Sequence, residues 1–181
     1  MKYNDKELLV QFRKKDTRKW AFNLIIEKYQ EKIYWHIRKI VISHEDADDV
    51  IQNTFIKVWK NLDNFREDAQ LFTWLYRIAT NEALSFLKQQ KKNMLIPFGD
   101  NERQLYNTLE SDIYFSGNEI QKKLQQALCS LPDKQRIVFT MRYFEDMKYE
   151  EISEILKTSV GSLKASYHHA VKKIENILKE N

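Results

Sequence analysis

Apolar side chains recur at steps of three and four residues along most of this chain, with few turn-forming residues between them. The clearest stripe lies in residues 17–41 and consists of Phe22, Ile26, Tyr29, Ile33, Ile37 and Ile40. This spacing places the side chains on one face of an α-helix. Strands need turns rich in Gly, Pro, Asn or Asp, whereas the 181 residues contain 3 Gly and 2 Pro. The pattern predicts an all-α protein.

Two more helices are predicted in the N-terminal half. Ser43 stands three residues before Asp46, a spacing like that of a capping box, and an apolar run follows. The polar stretch NLDNFRED interrupts the pattern, and the next helix is predicted from about Leu71 to Lys92. Because three amphipathic helices can close one core, residues 1–92 are predicted to form a small helical domain.

The remaining residues divide into a linker and a second domain. Residues 93–118 lose the helical periodicity and carry one Pro and two Gly, which predicts a flexible linker. The linker is acidic, whereas residues 1–92 and 119–181 are each net basic. Two basic units joined by an acidic segment favour polyanion binding. Residues 119–181 are predicted to form a four-helix domain.

A helix-turn-helix is predicted within residues 149–178. Two amphipathic helices are separated there by the short break at 157–159, and Ser159 is predicted to cap the second helix. That helix would enter a DNA major groove, where Lys, Ser, His and Ala can contact phosphates or base edges. Its candidate DNA contacts are Ser159, Ser162, Lys164, Ala165, Ser166, His168, His169 and Lys172. An ordinary helical hairpin with a solvated face is the alternative.

The sequence offers little for catalysis or for a cofactor. It has no Gly-rich phosphate loop, and Cys129 and the four His show no metal-ligand spacing. We therefore expect no enzyme activity, no catalytic residue, no metal and no cofactor. No signal segment is recognisable at the N-terminus, and no apolar run approaches the ~20 residues of a membrane span. This favours a cytoplasmic location without membrane insertion.

Three stretches together resemble the extracytoplasmic-function (ECF) sigma factors of bacterial RNA polymerase. They are DADDVIQNTFIKVWKNLDNF at 46–65, LFTWLYRIATNEALSFLKQQKK at 71–92 and LPDKQRIVFTMRYFEDMKYEEISEILKTSVGSLKASYHHAVKKI at 131–174. The resemblance implies a subunit that recruits core RNA polymerase to promoters and helps to open the DNA. Residues 1–92 would be sigma domain 2, residues 119–181 sigma domain 4, and the linker would occupy the channel that later holds RNA. An anti-sigma factor is implied as a further partner.

The resemblance also assigns residues to surfaces. The helix after Ser43 would bind the polymerase β′ clamp, and the second domain would bind the β flap. The clamp candidates are Asp48, Asp49, Gln52, Asn53 and Ile56. The helix from Leu71 and its preceding loop would melt and read the −10 element, since cations beside aromatic rings suit single-stranded DNA. Its candidates are Asn64, Phe65, Thr73, Trp74, Arg77, Asn81, Lys88, Lys91 and Lys92. Trp74 as an ordinary core residue is an equal alternative.

Some positions depart from the family pattern. Lys157 stands in the hairpin turn where the family commonly has Gly, so it must take a conformation that Gly adopts more easily. Ser166 and His169 stand where Arg is common, which removes bidentate contacts to guanine or phosphate. These changes predict a weaker contribution from the −35 element. A helix-turn-helix repressor that binds duplex DNA alone, usually as a dimer, is the competing hypothesis.

Overall fold

A computed structural model describes residues 3–93 and 119–179, and the α-helices fill most of both ranges. The α-helices are α1 (Asp5–Phe12), α2 (Arg18–Val41), α3 (His44–Asn61), α4 (Leu71–Asn93), α5 (Glu119–Cys129), α6 (Asp133–Phe139), α7 (Tyr149–Leu156) and α8 (Val160–Lys179). A 3-10 turn follows α3 and a π-helix follows α6. No strand occurs in these two ranges, which confirms the predicted all-α class.

The first lobe (α1–α4) is built around α2. Helices α3 and α4 pack on α2 and on each other, and α1 crosses α2. The core includes Ile25, Ile33 and Leu75, each fully buried. Two edge-to-face aromatic contacts attach α1 and α2 to α3, because the Trp59 ring lies 5.4 Å from the Phe12 ring and 4.9 Å from the Phe22 ring.

The connection between α2 and α3 is unusually tight. Ile42 has φ 72° and ψ −41°, and the Ser43 N–H donates to the Val41 carbonyl at 2.9 Å, which closes a three-residue turn. A β-branched residue rarely adopts such a positive φ. Ser43 then caps α3 by accepting from the Asp46 N–H at 3.3 Å, as predicted. The turn places Ile42 against Cys129 of α5, and both side chains are buried.

The second lobe (α5–α8) contains the predicted helix-turn-helix, α7 and α8. The α-helix that begins after Pro132 ends at Phe139, and the next residues, Thr140–Phe144, form a π-helix. The wider π turn changes the direction in which later side chains point. The apolar positions Ile137, Val138, Met141 and Phe144 predict that Phe144 faces inward, but this residue is 37% exposed. The predicted orientation of Phe144 was therefore wrong.

The two lobes pack directly against each other. Helix α7 lies on α4, and α6 and the π-helix lie on α2. One cluster of buried side chains runs through both lobes and includes Ile37 and Ala79 of the first with Met141 and Ile152 of the second. The predicted linker lies outside the described residues from position 94 to 118, so the domain boundaries stay a prediction.

Candidate promoter and polymerase surfaces

A cavity of about 360 Å³ lies between the end of α3 and the middle of α4. Its lining residues are Lys57, Asn61, Asn64, Trp74, Ile78, Asn81 and Glu82. The half-buried Trp74 packs against Phe65, with 5.2 Å between ring centroids. The fold thus brings Asn64, Trp74 and Asn81 to one site, although they come from different elements. Trp74 is a wall of this cavity and also part of the hydrophobic packing around it.

The sequence analysis missed two charged residues of this cavity. Lys57 of α3 forms an ion pair with Glu82 of α4, and the Glu82 side chain is 13% exposed. The pair lies beside the amides of Asn64 and Asn81, so the lining contains a carboxylate acceptor, an ammonium donor and amides that can do either. Glu82 follows Asn81 directly in the sequence, but only the packing of α3 against α4 shows that Lys57 reaches it.

The polar stripe of α4 is exposed along only part of its length. Asn81, Lys88 and Lys92 are exposed and Arg77 is half-buried. Thr73 and Thr80 are 7% and 1% exposed: Thr73 borders the cavity between the lobes, and the Thr80 hydroxyl lies 2.8 Å from His36 Nε2 of α2. Helical spacing predicts one polar face on α4, and the structure differs from that prediction at the two threonines; the predicted face consists of Thr73, Arg77, Thr80, Asn81, Ser85, Lys88 and Lys91. The side chain of Lys91 lies outside the described residues.

The predicted clamp-binding face of α3 is open. Asp49, Gln52, Asn53 and Ile56 are exposed, and Asp48 is half-buried with its carboxylate 3.7 Å from His44 Nε2. Ile56 is 52% exposed, which is high for an aliphatic side chain. A largely apolar groove of about 410 Å³ borders it and is lined by Phe22, Ile26, Gln52, Phe55, Ile56 and Trp59. An apolar groove edged by polar groups is typical of a protein-binding surface.

The turn of the helix-turn-helix forms as the sequence requires. Lys157 adopts the left-handed conformation, with φ 51° and ψ 44°, as we expected from the missing Gly. Ser159 accepts from the Ser162 N–H at 3.3 Å and caps α8. The candidate residues on α8 that are exposed are Ser162, Lys164, Ala165, His168, His169 and Lys172, and Ser166 is half-buried.

Two contacts refine the chemistry of α8. Lys164 Nζ lies 5.7 Å from the centre of the Tyr149 ring, close enough for a cation–π contact. The rings of His168 and His169 are 6.1 Å apart. Within residues 3–93 and 119–179, no group of three or more His, Cys, Asp or Glu is arranged to hold a metal ion. None of the helices in these ranges is both long and apolar enough to cross a membrane.

Carboxylates of α7 face the loop that precedes α4. A cavity of about 560 Å³ lies between the lobes, and its charged and polar lining includes Asp5, Lys6, Glu67, Asp68, Gln70, Thr73, Glu151 and Glu154. The acidic residues of α7 (Glu150, Glu151 and Glu154) would repel phosphate, so the sequence predicts that this helix points away from DNA or toward a partner. In this arrangement two of its acidic residues, Glu151 and Glu154, lie instead beside the loop assigned to −10 recognition.

The comparisons with known proteins cover both lobes. Residues 25–93 match sigma-70 region 2, and residues 121–174 match sigma-70 region 4. The chain is 32% identical to the RNA polymerase sigma-H factor of Pseudomonas aeruginosa, over 96% of this chain and 93% of the relative. It is 28% identical to the ECF RNA polymerase sigma factor SigW of Bacillus subtilis, over 96% and 99% of the two chains.

Two solved structures share the fold. One is CnrH in complex with the cytosolic domain of CnrY, with a TM-score of 0.69, 21% identity and coverage of 98% of both chains. The other is the sigma factor RpoE in complex with the anti-sigma factor NepR from Bartonella quintana, with a TM-score of 0.68, 19% identity and coverage of 87% of this chain and 96% of that one. With sigma-70 regions 2 and 4 in order and ECF relatives along nearly its whole length, this chain belongs to the ECF sigma factors.

Proposed function

We propose that this sigma factor divides promoter-specific initiation by RNA polymerase among three surfaces. The cavity between α3 and α4, with the exposed cations of α4, binds the melted −10 strand. The exposed face of α3 binds the β′ clamp of core polymerase. The outer face of α8 contacts the −35 element. The strongest support for this proposal is that one cavity brings together Asn64, Trp74 and Asn81.

The cavity has the chemistry needed to hold an unstacked base. An indole wall offers a stacking surface, and the two amides offer hydrogen bonds to a base edge. Taking a base out of the stack costs a few kcal/mol. The exposed Lys88 and Lys92 and the half-buried Arg77 lie further along the same helix, where phosphate contacts can offset that cost.

The face of α3 supports polymerase binding for a different reason. Gln52 and Ile56 are exposed and line the same apolar groove, so one surface combines aliphatic contact with hydrogen bonding. Such a mixture is typical of a protein interface, and the groove lining includes no cation to bind a DNA phosphate. Asp49, also exposed, adds a negative charge that would repel DNA and favour a basic partner.

The outer face of α8 carries fewer strong DNA-binding groups than α4 does. Exposed Lys164, Lys172 and the two histidines of α8 can reach a major groove, but the helix presents no Arg there. We therefore assign it the smaller share of promoter affinity. An anti-sigma factor is proposed as a partner because the similar sigma factor RpoE was solved in complex with the anti-sigma factor NepR. The roles of the β flap and of the linker stay predictions.

The division of labour is testable with two groups of variants. Arg77→Ala and Lys88→Ala should impair promoter opening, measured by permanganate footprinting of melted thymines, while affinity for core polymerase stays unchanged. Each lost phosphate contact should lower the slope of log affinity against log salt for single-stranded −10 DNA by about 0.7. Gln52→Ala and Ile56→Ala should weaken core binding in a fluorescence anisotropy titration.

Lys14→Ala serves as the matched control, since Lys14 is an exposed cation in the turn after α1. It should leave both promoter opening and core binding intact. Equal loss of opening in Lys14→Ala and Lys88→Ala would show that general positive charge, and not the α4 surface, is responsible. Tight promoter binding without core polymerase would contradict the proposal as a whole.

A further inference from the structure

The cavity of about 560 Å³ between the lobes combines apolar and acidic side chains. Leu9, Phe65 and Leu71 are buried and form the apolar part of its lining. Its volume lies in the range of about 300–1,000 Å³ that is typical of small-molecule sites. The first lobe and α7 of the second lobe both contribute carboxylates, and these are Asp5, Glu67, Asp68, Glu151 and Glu154.

Most of these carboxylates have no basic partner. Asp5 is paired with Lys28, whose Nζ lies 2.6 Å from Asp5 Oδ1. Glu67 is paired with Arg13, whose Nη2 lies 2.8 Å from Glu67 Oε1. In the parts of the chain that the structure describes, no ion pair is formed by Asp68, Glu151 or Glu154. Because Lys6 is the only cation among the described lining residues, the cavity keeps an excess of negative charge.

A buried hydroxyl also belongs to the cavity wall. Thr73 of α4 is 7% exposed and lines the cavity. Its hydroxyl makes no hydrogen bond to any residue in the described ranges, although buried polar groups are normally paired. The oxygen of a hydroxyl accepts from an N–H donor. Thr73 therefore indicates a ligand that carries hydrogen-bond donors, and it does so independently of the acidic charge.

A ligand with separated cationic groups suits this lining better than a metal ion. No three His, Cys, Asp or Glu side chains of the described residues are grouped so that they could hold a metal. The unpaired carboxylates lie instead on two elements, with Asp68 in the loop before α4 and Glu154 on α7. An aliphatic polyamine carries ammonium groups on a methylene chain, like the side chain of lysine. The methylene chain can cover apolar side chains while the ammonium groups contact carboxylates.

We propose that this cavity is a binding site for an aliphatic polyamine. One ammonium group lies at Glu151 and Glu154 and another at Asp68, and Thr73 Oγ1 accepts from an ammonium N–H. Bound in this way, the ligand connects α7 of the second lobe to the loop before α4 of the first. Because the site needs both lobes, binding stabilises the arrangement in which they pack together. The inference goes beyond the proposed function, since neither polymerase nor DNA takes part.

Isothermal titration calorimetry of the full chain with spermidine tests the site at about 0.15 M salt. The native protein should bind with a single-site isotherm. Glu151→Gln and Glu154→Gln should each weaken the affinity roughly two- to fivefold, as expected for one partly exposed ion pair, and the double variant roughly tenfold. Gln at position 151 can still accept from the Lys148 N–H, so α7 keeps its cap. Thr73→Val, which removes the hydroxyl, should also weaken binding.

Glu150→Gln is the matched control, because Glu150 is exposed beside Glu151 on α7 and does not line the cavity. This variant should bind spermidine with the native affinity, and all variants should keep the native helical circular dichroism. Absence of spermidine binding, or native affinity in the double variant, would overturn the site. Equal losses in Glu150→Gln and Glu154→Gln, or equal displacement of spermidine by MgCl2 at the same ionic strength, would overturn it by showing only general attraction of counterions.

Discussion

Lys157 ends α7 in the left-handed conformation, and its side chain is exposed. Three other non-glycine residues also have positive φ: Ile42, Glu67 and Asp146. All four lie where one element ends and the next has not begun. Backbone strain in the described residues is therefore concentrated at the connections. Because the Lys157 side chain is exposed, replacing it removes no buried contact, and the change in stability reports the backbone strain directly.

Lys157→Gly should stabilise the protein. A residue other than Gly in the left-handed region costs about 1–2 kcal/mol of strain, which the substitution removes. Gly makes the unfolded chain more flexible, and this offsets about 0.5–1 kcal/mol of that gain in stability. The expected net gain is roughly 0.5–1 kcal/mol, measured as a higher urea midpoint. Lys172→Gly is the control, because it lies exposed in the middle of α8 and should lose about 1 kcal/mol. Equal destabilisation by both changes would contradict the argument.

Helix α1 is held on the first lobe by a small polar cluster. The Tyr29 hydroxyl lies 2.8 and 2.7 Å from the two carboxylate oxygens of Asp5, and Lys28 Nζ lies 2.6 Å from one of them. Tyr29 is only 6% exposed, so its hydroxyl depends on Asp5. An amphipathic helix of 8 residues is too short to be stable alone. Its position therefore depends on this cluster and on the burial of Leu8 and Phe12.

Asp5→Ala should destabilise the protein by about 1–3 kcal/mol, because it leaves a largely buried hydroxyl without its partner. Tyr29→Phe should cost less, since it removes the hydroxyl itself. The double variant should lose less than the sum of the two single losses when chemical denaturation is measured. Lys28→Met tests the ion pair separately and should change stability by about 0–1 kcal/mol. Strict additivity of the Asp5 and Tyr29 losses would show that the two side chains do not interact.

The sequence predicted the long helices well and the irregular ones poorly. Helices α2, α3 and α4 have repeated apolar steps and cap or break signals such as Ser43, so their existence and approximate ends follow from local rules. Helix α1 was missed although Asn4 and Glu7 form a capping box, because two turns give too few apolar steps to count. The π-helix was missed because no local pattern distinguishes it from α-helix.

At the scale of the whole molecule, the lobe contact was beyond sequence reasoning. In that contact, His36 Nδ1 of α2 lies 3.0 Å from Glu145 Oε1 of the second lobe, 109 positions away in the sequence, and neither residue belongs to a motif. Thr80 and Thr73 lie beside residues distant in sequence, His36 and Glu151 respectively, so the helical spacing of α4 could not predict their burial. The family resemblance assigned Asn64, Trp74 and Asn81 to one candidate surface, but the cavity between them and its Lys57–Glu82 wall could be found only from the packing of α3 on α4.

Alkaline pH should unfold the protein through its buried tyrosines. Burial raises the phenol pKa of Tyr29 and of Tyr76, with further contributions from Asp5 and Glu145. A raised pKa in the folded state gives stability that is present below the unfolded value of about 10 and is lost as pH rises beyond it. The urea midpoint should fall above about pH 10.

The tyrosinate absorbance of these two phenols should appear together with unfolding. Tyr29→Phe should reduce the alkaline loss, whereas Tyr143→Phe, at a side chain that is 59% exposed, should not. Free titration of all nine tyrosines in the folded protein would contradict the prediction.

The packing of α7 on α4 has a consequence for how strongly this factor competes for polymerase. If core polymerase binds only a form in which the two lobes have separated, the apparent dissociation constant equals the intrinsic one divided by the fraction of the protein in that form. Closure then scales occupancy at every promoter by the same factor and leaves their rank order unchanged. On that condition the lobe contact would set the overall strength of polymerase binding, whereas the proposed DNA contacts of α4 and α8 would determine which promoters are selected.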